Sequence, residues 1–230
     1  MAGSAAEPVA VTVREGMRVS GLLQTPTRAR ALLVLAHGAG AGMAHPFLAN
    51  VAGELAERGI ASLRYQFPYM EARGRRPDPP KLAQATVRAA AGEAARLVPE
   101  LPLFAGGRSF GGRMTSQAQA LSPLPGVRGL AFLGFPLHPA GKPSQERGRH
   151  LFEIGIPMLF LQGTRDALAA LHELEPLCRA LGDRAALRLL EDADHAFHVP
   201  ARTGRKDAQL RGEMLDALSR WIDDVRAAPH

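Results

Sequence analysis

A serine hydroxyl is a poor nucleophile unless a tight turn holds it beside a base. Ser109 has the surroundings for such a turn. The apolar run Leu103 to Ala105 passes into Gly106-Gly107-Arg108-Ser109-Phe110-Gly111-Gly112, a Gly-x-Ser-x-Gly pattern followed at once by a helix-forming stretch. Small residues on either side of the serine permit a sharp strand-to-helix turn. The pattern alone also suits a serine that simply caps the next helix. An acid and a base further along the chain strengthen the nucleophile reading. Asp166 closes Leu159-Phe160-Leu161-Gln162-Gly163-Thr164-Arg165-Asp166, just past an apolar run, where a carboxylate can orient an imidazole and stabilise its charged form. The competing acids Asp183, Asp192 and Asp194 do not follow a strand in this way, and Asp166 could in addition cap a helix starting at Ala167. His195 lies in the polar stretch Glu191 to His198 directly after the last expected strand, with His198 as its rival.

A fourth segment, His37-Gly38-Ala39-Gly40-Ala41-Gly42, is a glycine-rich turn after an apolar strand. Backbone N–H groups in such a turn can converge on a developing oxyanion, and loss of one such donor typically costs roughly 3 kcal/mol of transition-state stabilisation. One donor is expected from Ala39 or Gly40 and a second from Phe110, next to the nucleophile. A phosphate-binding loop is the rival reading. The segment lacks both the dinucleotide-binding spacing and the Gly-Lys-Ser/Thr ending of nucleotide loops.

The elements that must position these residues follow from hydrophobic patterning. Val9 to Val13 and Arg18 to Gln24 read as a hairpin about Glu15-Gly16. Ala31 to Ala36, Ser62 to Tyr65, Leu101 to Gly106, Val127 to Phe135, Pro157 to Gln162 and Ala185 to Leu190 read as strands, several without polar alternation, as in a parallel sheet buried on both faces. Helices are expected over Pro46 to Arg58, Leu82 to Leu97, Gly111 to Leu121, Ala167 to Leu181 and Ala208 to Arg226, with a loop from Gln66 to Pro80. Two opening strands and then alternating strands and helices imply a single α/β domain over residues 1–230 with a mostly parallel central sheet, helices on both faces and no large cap domain.

Composition excludes several function classes. Hydrophobic content of 46% and charged content of 22% are those of a soluble globular chain. No apolar stretch approaches the ~20 residues of a membrane-spanning helix. The start, Met1 to Pro8, lacks the basic and then apolar pattern of a secretory signal, so a cytoplasmic location is expected. Cys178, the single cysteine, has no internal disulfide partner. The net charge of +6 comes from scattered arginines, many beside acids, and not from the contiguous basic stripe of a nucleic-acid surface. The histidines have no metal-binding spacing. Neither a metal nor an organic cofactor is expected, and dimerisation is left open.

In Ser109, Asp166 and His195, in that order along the chain, the sequence resembles the α/β-hydrolase superfamily over nearly its whole length. Within it, His37-Gly-Ala-Gly, His45-Pro46-Phe47, Phe67-Pro68-Tyr69, Gly107-Arg-Ser109-Phe-Gly-Gly-Arg113-Met114 and Phe135-Pro136-Leu137-His138-Pro139 are similar to a branch of small hydrolases related to dienelactone hydrolases and testis-expressed protein 30. The resemblance implies a Ser109–Asp166–His195 triad and an oxyanion hole at the glycine loop. It departs from dienelactone hydrolases, which carry a cysteine where Ser109 stands. Cofactor-free haloperoxidases of this fold place a tryptophan by the oxyanion hole, whereas Trp221 lies in the closing helix.

These features lead to the expectation of a serine hydrolase cleaving small carboxylic esters or thioesters through an acyl-enzyme. Substrate walls are expected at His45, at Gln66 to Met70 (Phe67 and Tyr69 in particular) and at Leu137 to His150, including His138. Lys142, Arg147 and Arg149 offer charge to an anionic substrate group, with a solvated loop as the simpler reading. A non-catalytic interaction module on the same fold is the alternative function.

Overall fold

The computed structural model describes residues 5–228; residues 1–4, part of the start read above for a secretory signal, and 229–230 lie outside it. Eight strands form one sheet: β1 (Glu7–Arg14), β2 (Met17–Gln24), β3 (Ala31–Ala36), β4 (Ile60–Tyr65), β5 (Leu103–Arg108), β6 (Val127–Leu133), β7 (Met158–Gly163) and β8 (Ala185–Leu190). Their spatial order is β1-β2-β4-β3-β5-β6-β7-β8. β1 and β2 pair antiparallel, β2 joins β4 antiparallel, and every later pairing is parallel. From β3 the chain winds first toward β4 and later, through β5, toward β8. The loops leaving the carboxyl ends of β3 and β5 therefore diverge, and a crevice opens between them.

Period-two alternation along the central strands builds two separate cores. Leu32, Val34 and Ala36 of β3 face one side, where they join Val87, Ala90, Ala91 and Ala94 of α3 (Pro80–Leu97), Met114 and Ala118 of α4 (Phe110–Leu121), and Leu174 and Leu177 of α5 (Leu171–Leu181). Ala31, Leu33 and Leu35 face the other, against Leu48, Val51 and Leu55 of α1 (Pro46–Glu57) and Leu210, Met214, Leu218 and Ile222 of α6 (Asp207–Ala227). A one-turn helix, α2 (Pro68–Glu71), occupies part of the segment expected as an irregular loop. Among the described residues no helix is long and apolar enough to cross a membrane.

Two boundaries near the site depart from the sequence expectation. β6 ends at Leu133, because Gly134 takes a positive φ of 71° and turns the chain out of the sheet. The last helix before β8 begins at Leu171 and not Ala167, because residues 167–170 wrap around Asp166 in a turn. The 24 residues 134–157 hold only a 3₁₀ segment, Glu146–Glu153, in keeping with the absence of a cap domain.

Phe132 is fully buried and packs between Phe135 and Phe160, with ring centroids 5.2 and 4.9 Å away. Phe132→Ala should lower stability by about 3–5 kcal/mol, the usual cost of emptying a buried phenylalanine site. Urea denaturation would measure this, and a loss under 1 kcal/mol would mean that the helices on this face collapse into the gap.

Candidate active site

Four strand ends converge at one point on the sheet edge. Ser109 follows β5 and is the N-cap of α4, with φ 49° and ψ −117°, a conformation that few non-glycine residues adopt. Its amide donates to the Leu133 carbonyl of neighbouring β6 (3.1 Å), and its carbonyl accepts from the Arg113 amide (3.1 Å). The close glycines are a steric requirement. A Cβ at Gly107 would lie 2.5 Å from the Ala36 carbonyl oxygen, and one at Gly111 would lie 2.5 Å from that of His37. Any larger residue would push β3 and its loop away from the serine.

The Ser109 Oγ lies 2.8 Å from His195 Nε2, and His195 Nδ1 lies 2.7 Å from Asp166 Oδ2. The Asp166 side chain is fully buried, whereas that of His195 is 25% exposed, so the acid end is dry and the serine end is open to solvent. Asp166 is held on both oxygens. Oδ1 accepts from the Leu168 amide (2.7 Å), and Oδ2 also accepts from the Gln162 side-chain amide. Buried Gln162 in turn accepts from the Phe135 amide (2.9 Å), tying the end of β7 to the loop after β6. Sequence patterning passed over Gln162. Its one signal was a polar residue closing an otherwise apolar strand run.

His195 is presented by a loop that Asp194 builds. The Asp194 Oδ1 accepts from the amides of Ala196 (2.8 Å) and His198 (2.9 Å), and the Asp194 amide donates to the His198 carbonyl. Phe197, with φ 61°, turns inward and stacks on Phe47 at 5.6 Å. Asp194 is thus engaged in shaping this turn. Its neighbour Asp192 lies 3.8 Å from Arg202, and Asp183 sits in the 3₁₀ segment Gly182–Arg184 just before β8. The rival base His198 pairs with Asp207 (2.8 Å) on the surface, and this bond raises its pKa.

The glycine loop brings one of its two candidate amides to a different partner. The Gly40 N–H donates to the Tyr69 hydroxyl at 2.8 Å, whereas the Ala39 N–H has no acceptor among the described residues. The Phe110 N–H, at the first position of α4, has no intrahelical acceptor either. Burial raises the Tyr69 pKa, so its hydroxyl stays protonated and retains a hydrogen of its own to donate. The Tyr69 amide donates to Asp78 Oδ2 (3.1 Å), which anchors α2 beneath the glycine loop.

Of the residues expected to wall the substrate, Phe67 and Leu137 are fully buried and His138 is 2% exposed. They belong to the packed interior and offer no open face. Phe67 packs edge-on against His37, Tyr65 and Phe110. His138 bridges two loops, with Nδ1 at the Pro139 carbonyl (2.8 Å) and Nε2 accepting from the Ala170 amide (2.8 Å). His45 caps α1, its Nδ1 accepting from the Phe47 amide at 3.2 Å.

Two comparisons bear on this geometry. The sequence profile of the alpha/beta hydrolase domain matches residues 29–223. Among solved structures, dienelactone hydrolase from Anabaena variabilis superposes with a TM-score of 0.78 at 20% identity, covering 97% of this chain and 99% of that one. An alpha-beta serine hydrolase homologue from Coxiella burnetii gives 0.75 at 16% identity, covering 95% and 100%. XC6422 from Xanthomonas campestris, described as an α/β serine hydrolase without a lid, gives 0.72 at 20% identity over 100% and 99%.

His37, behind the glycine loop, is fully buried; its Nδ1 contacts the Gly38 carbonyl, and its Nε2 accepts from the Phe67 amide (3.1 Å). Burial lowers its pKa from 6.5 to about 4. As the pH falls through 6.5 the unfolded chain takes up this proton and the folded protein does not. The contribution is therefore full above pH 6.5 and declines from there to pH 4. At pH 5 the loss from this group is about 2 kcal/mol. His37→Gln, which keeps an acceptor for Phe67, should lose about 2 kcal/mol less than wild type between pH 7.5 and 5 in urea titrations. Equal losses in the two proteins would mean that His37 titrates at its ordinary value.

Proposed function

Because the chain belongs to the alpha/beta hydrolase domain family, we propose that it is a serine hydrolase that cleaves small carboxylic esters or thioesters through an acyl-enzyme. The observation that carries this reading is the unbroken chain of short contacts from Ser109 Oγ through the His195 ring to Asp166, at 2.8 and 2.7 Å. Buried Asp166 accepts a hydrogen from Nδ1–H and so leaves Nε2 with its lone pair toward the serine. His195 removes the Ser109 proton as Oγ attacks the carbonyl carbon. The oxyanion forms beside the free amides of Ala39 and Phe110, while the Gly40–Tyr69 hydrogen bond fixes the turn that presents Ala39. His195 then gives its proton to the departing alcohol or thiol, and next activates the water that releases the acid. These steps use only side chains, backbone amides and water.

The segment 134–157 covers the sheet edge with one 3₁₀ turn and no helical lid, which favours short, solvent-exposed substrates over long acyl chains buried under a cap. The lidless description of XC6422 agrees with that preference.

A fluorophosphonate should add once to the wild-type protein, not at all to Ser109→Ala, and far more slowly to His195→Ala, as read by intact mass. Turnover of p-nitrophenyl esters should fall by about 10⁴-fold or more in Ser109→Ala and His195→Ala, and about 10⁴-fold in Asp166→Asn, which stabilises the wrong tautomer. A folded wild-type protein that neither labels nor turns over any ester would overturn the hydrolase reading in favour of an interaction module on this fold.

A further inference from the structure

We propose that Gln162 is a positioning residue of the triad: fixed by the Phe135 amide at one end, it holds the Asp166 carboxylate at the other and so directs the hydrogen bonds that run to Ser109. The proposal rests on the hydrolase reading and adds to it a residue that touches neither the substrate nor the nucleophile.

The need for such a residue begins in the sheet. β6 and β7 run in register to the pair Leu133–Leu161, and the Gly134 amide still donates to the Leu161 carbonyl at 2.9 Å. Gly134 then turns the chain away with φ 71°, so the Phe135 amide leaves the ladder at a fully buried residue. A buried backbone donor requires an acceptor, and the Gln162 side-chain oxygen supplies it at 2.9 Å.

A backbone N–H can only donate. The oxygen of the Gln162 amide must therefore face Phe135, which turns its nitrogen onto Asp166 Oδ2. Every hydrogen-bond partner of the Asp166 carboxylate among the described residues is then a donor. The Leu168 amide meets Oδ1 at 2.7 Å, while the Gln162 amide and His195 Nδ1 share Oδ2, the histidine at 2.7 Å. With Asp166 accepting at both oxygens, the hydrogen between it and His195 belongs on Nδ1, and Nε2 is left to accept from the Ser109 hydroxyl at 2.8 Å. The direction of the relay is thus set by a backbone amide in the loop after β6.

Gln162 and the Asp166 side chain are fully buried, so bulk water has no access to replace a missing donor. The Gly134 turn also presses on the same pair: a Cβ there would lie 3.5 Å from His195 Nδ1 and 3.7 Å from Asp166 Oδ2. Losing Gln162 therefore frees the turn and the carboxylate together. Asp166 matters most when the His195 ring takes the serine proton, so its displacement slows the chemical step and leaves substrate binding nearly unchanged.

Two substitutions separate this role from simple support of the loop. Gln162→Met removes both hydrogen bonds at similar volume, whereas Gln162→Glu keeps the acceptor for Phe135 and removes only the donor. Both should lower kcat for p-nitrophenyl acetate by about 10–100-fold, with KM within about threefold of wild type. A kcat within about threefold of wild type in either variant overturns the proposal. Added to Asp166→Asn, Gln162→Met should slow fluorophosphonate labelling by less than about threefold further, because Gln162 acts through that carboxylate. A larger further loss assigns Gln162 a general structural role and also overturns the proposal. A third readout needs no turnover. The far-downfield proton resonance of His195 Nδ1–H, identified by its absence in His195→Ala, should move or broaden in Gln162→Met, and an unchanged resonance counts against the positioning role. If wild type fails to label with fluorophosphonate while this resonance responds to Gln162→Met, the hydrolase reading fails and the positioning role stands. If wild type turns over the ester and both variants keep its kcat, the hydrolase reading stands and the positioning role fails.

Discussion

The geometry of the site depends on one backbone constraint, the turn at Ser109 between β5 and α4. A non-glycine residue at φ 49° and ψ −117° is costly, of order 1–3 kcal/mol, and persists only where its surroundings over-determine it. Here the surroundings are β3 and its following loop, which press so closely that no side chain fits at Gly107 or Gly111. The Leu133 carbonyl holds the Ser109 amide from the other side. That contact sets the hydroxyl above the sheet edge, and the same approach of β3 brings the glycine loop to the first amide of α4. A relaxed turn would displace the Ser109 hydroxyl and the Ala39 and Phe110 amides together.

Around this turn, the remaining parts of the site are positioned by buried polar side chains that bond backbone. Gln162 spans from Phe135 to Asp166, His138 spans from Pro139 to Ala170, and His37 ties the glycine loop to Phe67. Each occupies both of its polar ends, which is how a buried polar group avoids the cost of desolvation. These bridges join loops that leave different strands, so a cluster of loops acquires the rigidity of the sheet beneath it. Burial also keeps His37 uncharged near neutral pH, which preserves its acceptor nitrogen for the Phe67 amide.

The electrostatics of the surface divide in the same way. Most of the partly buried arginines fasten α6, α1 and the loops through carboxylates or carbonyls, which accounts for part of the excess positive charge as structural. Arg108 is half-buried over the Phe47 ring at 4.7 Å. Arg113, also half-buried, has no ion pair among the described residues, and burial lowers its pKa.

The placement of Ser109, Asp166 and His195 after strands was legible in the sequence because the strands before them are largely apolar, and the structure brings the three side chains into contact. The alternation of strands and helices was legible for the same reason: hydrophobic periodicity is a local property. What the tertiary structure decided was non-local. The choice between His195 and His198 turns on Asp207, and the role of Asp194 on the fold of its own loop. The separation of Ala39 from Gly40 depends on Tyr69, 29 residues away in the chain. Phe67, Leu137 and His138 have the composition of a substrate wall, but burial behind the loops gives them to the core. A sequence specifies which groups are present and on which elements they ride. Which partner each group meets is set by the packing of elements distant in the chain, and the pattern within any one segment does not record it.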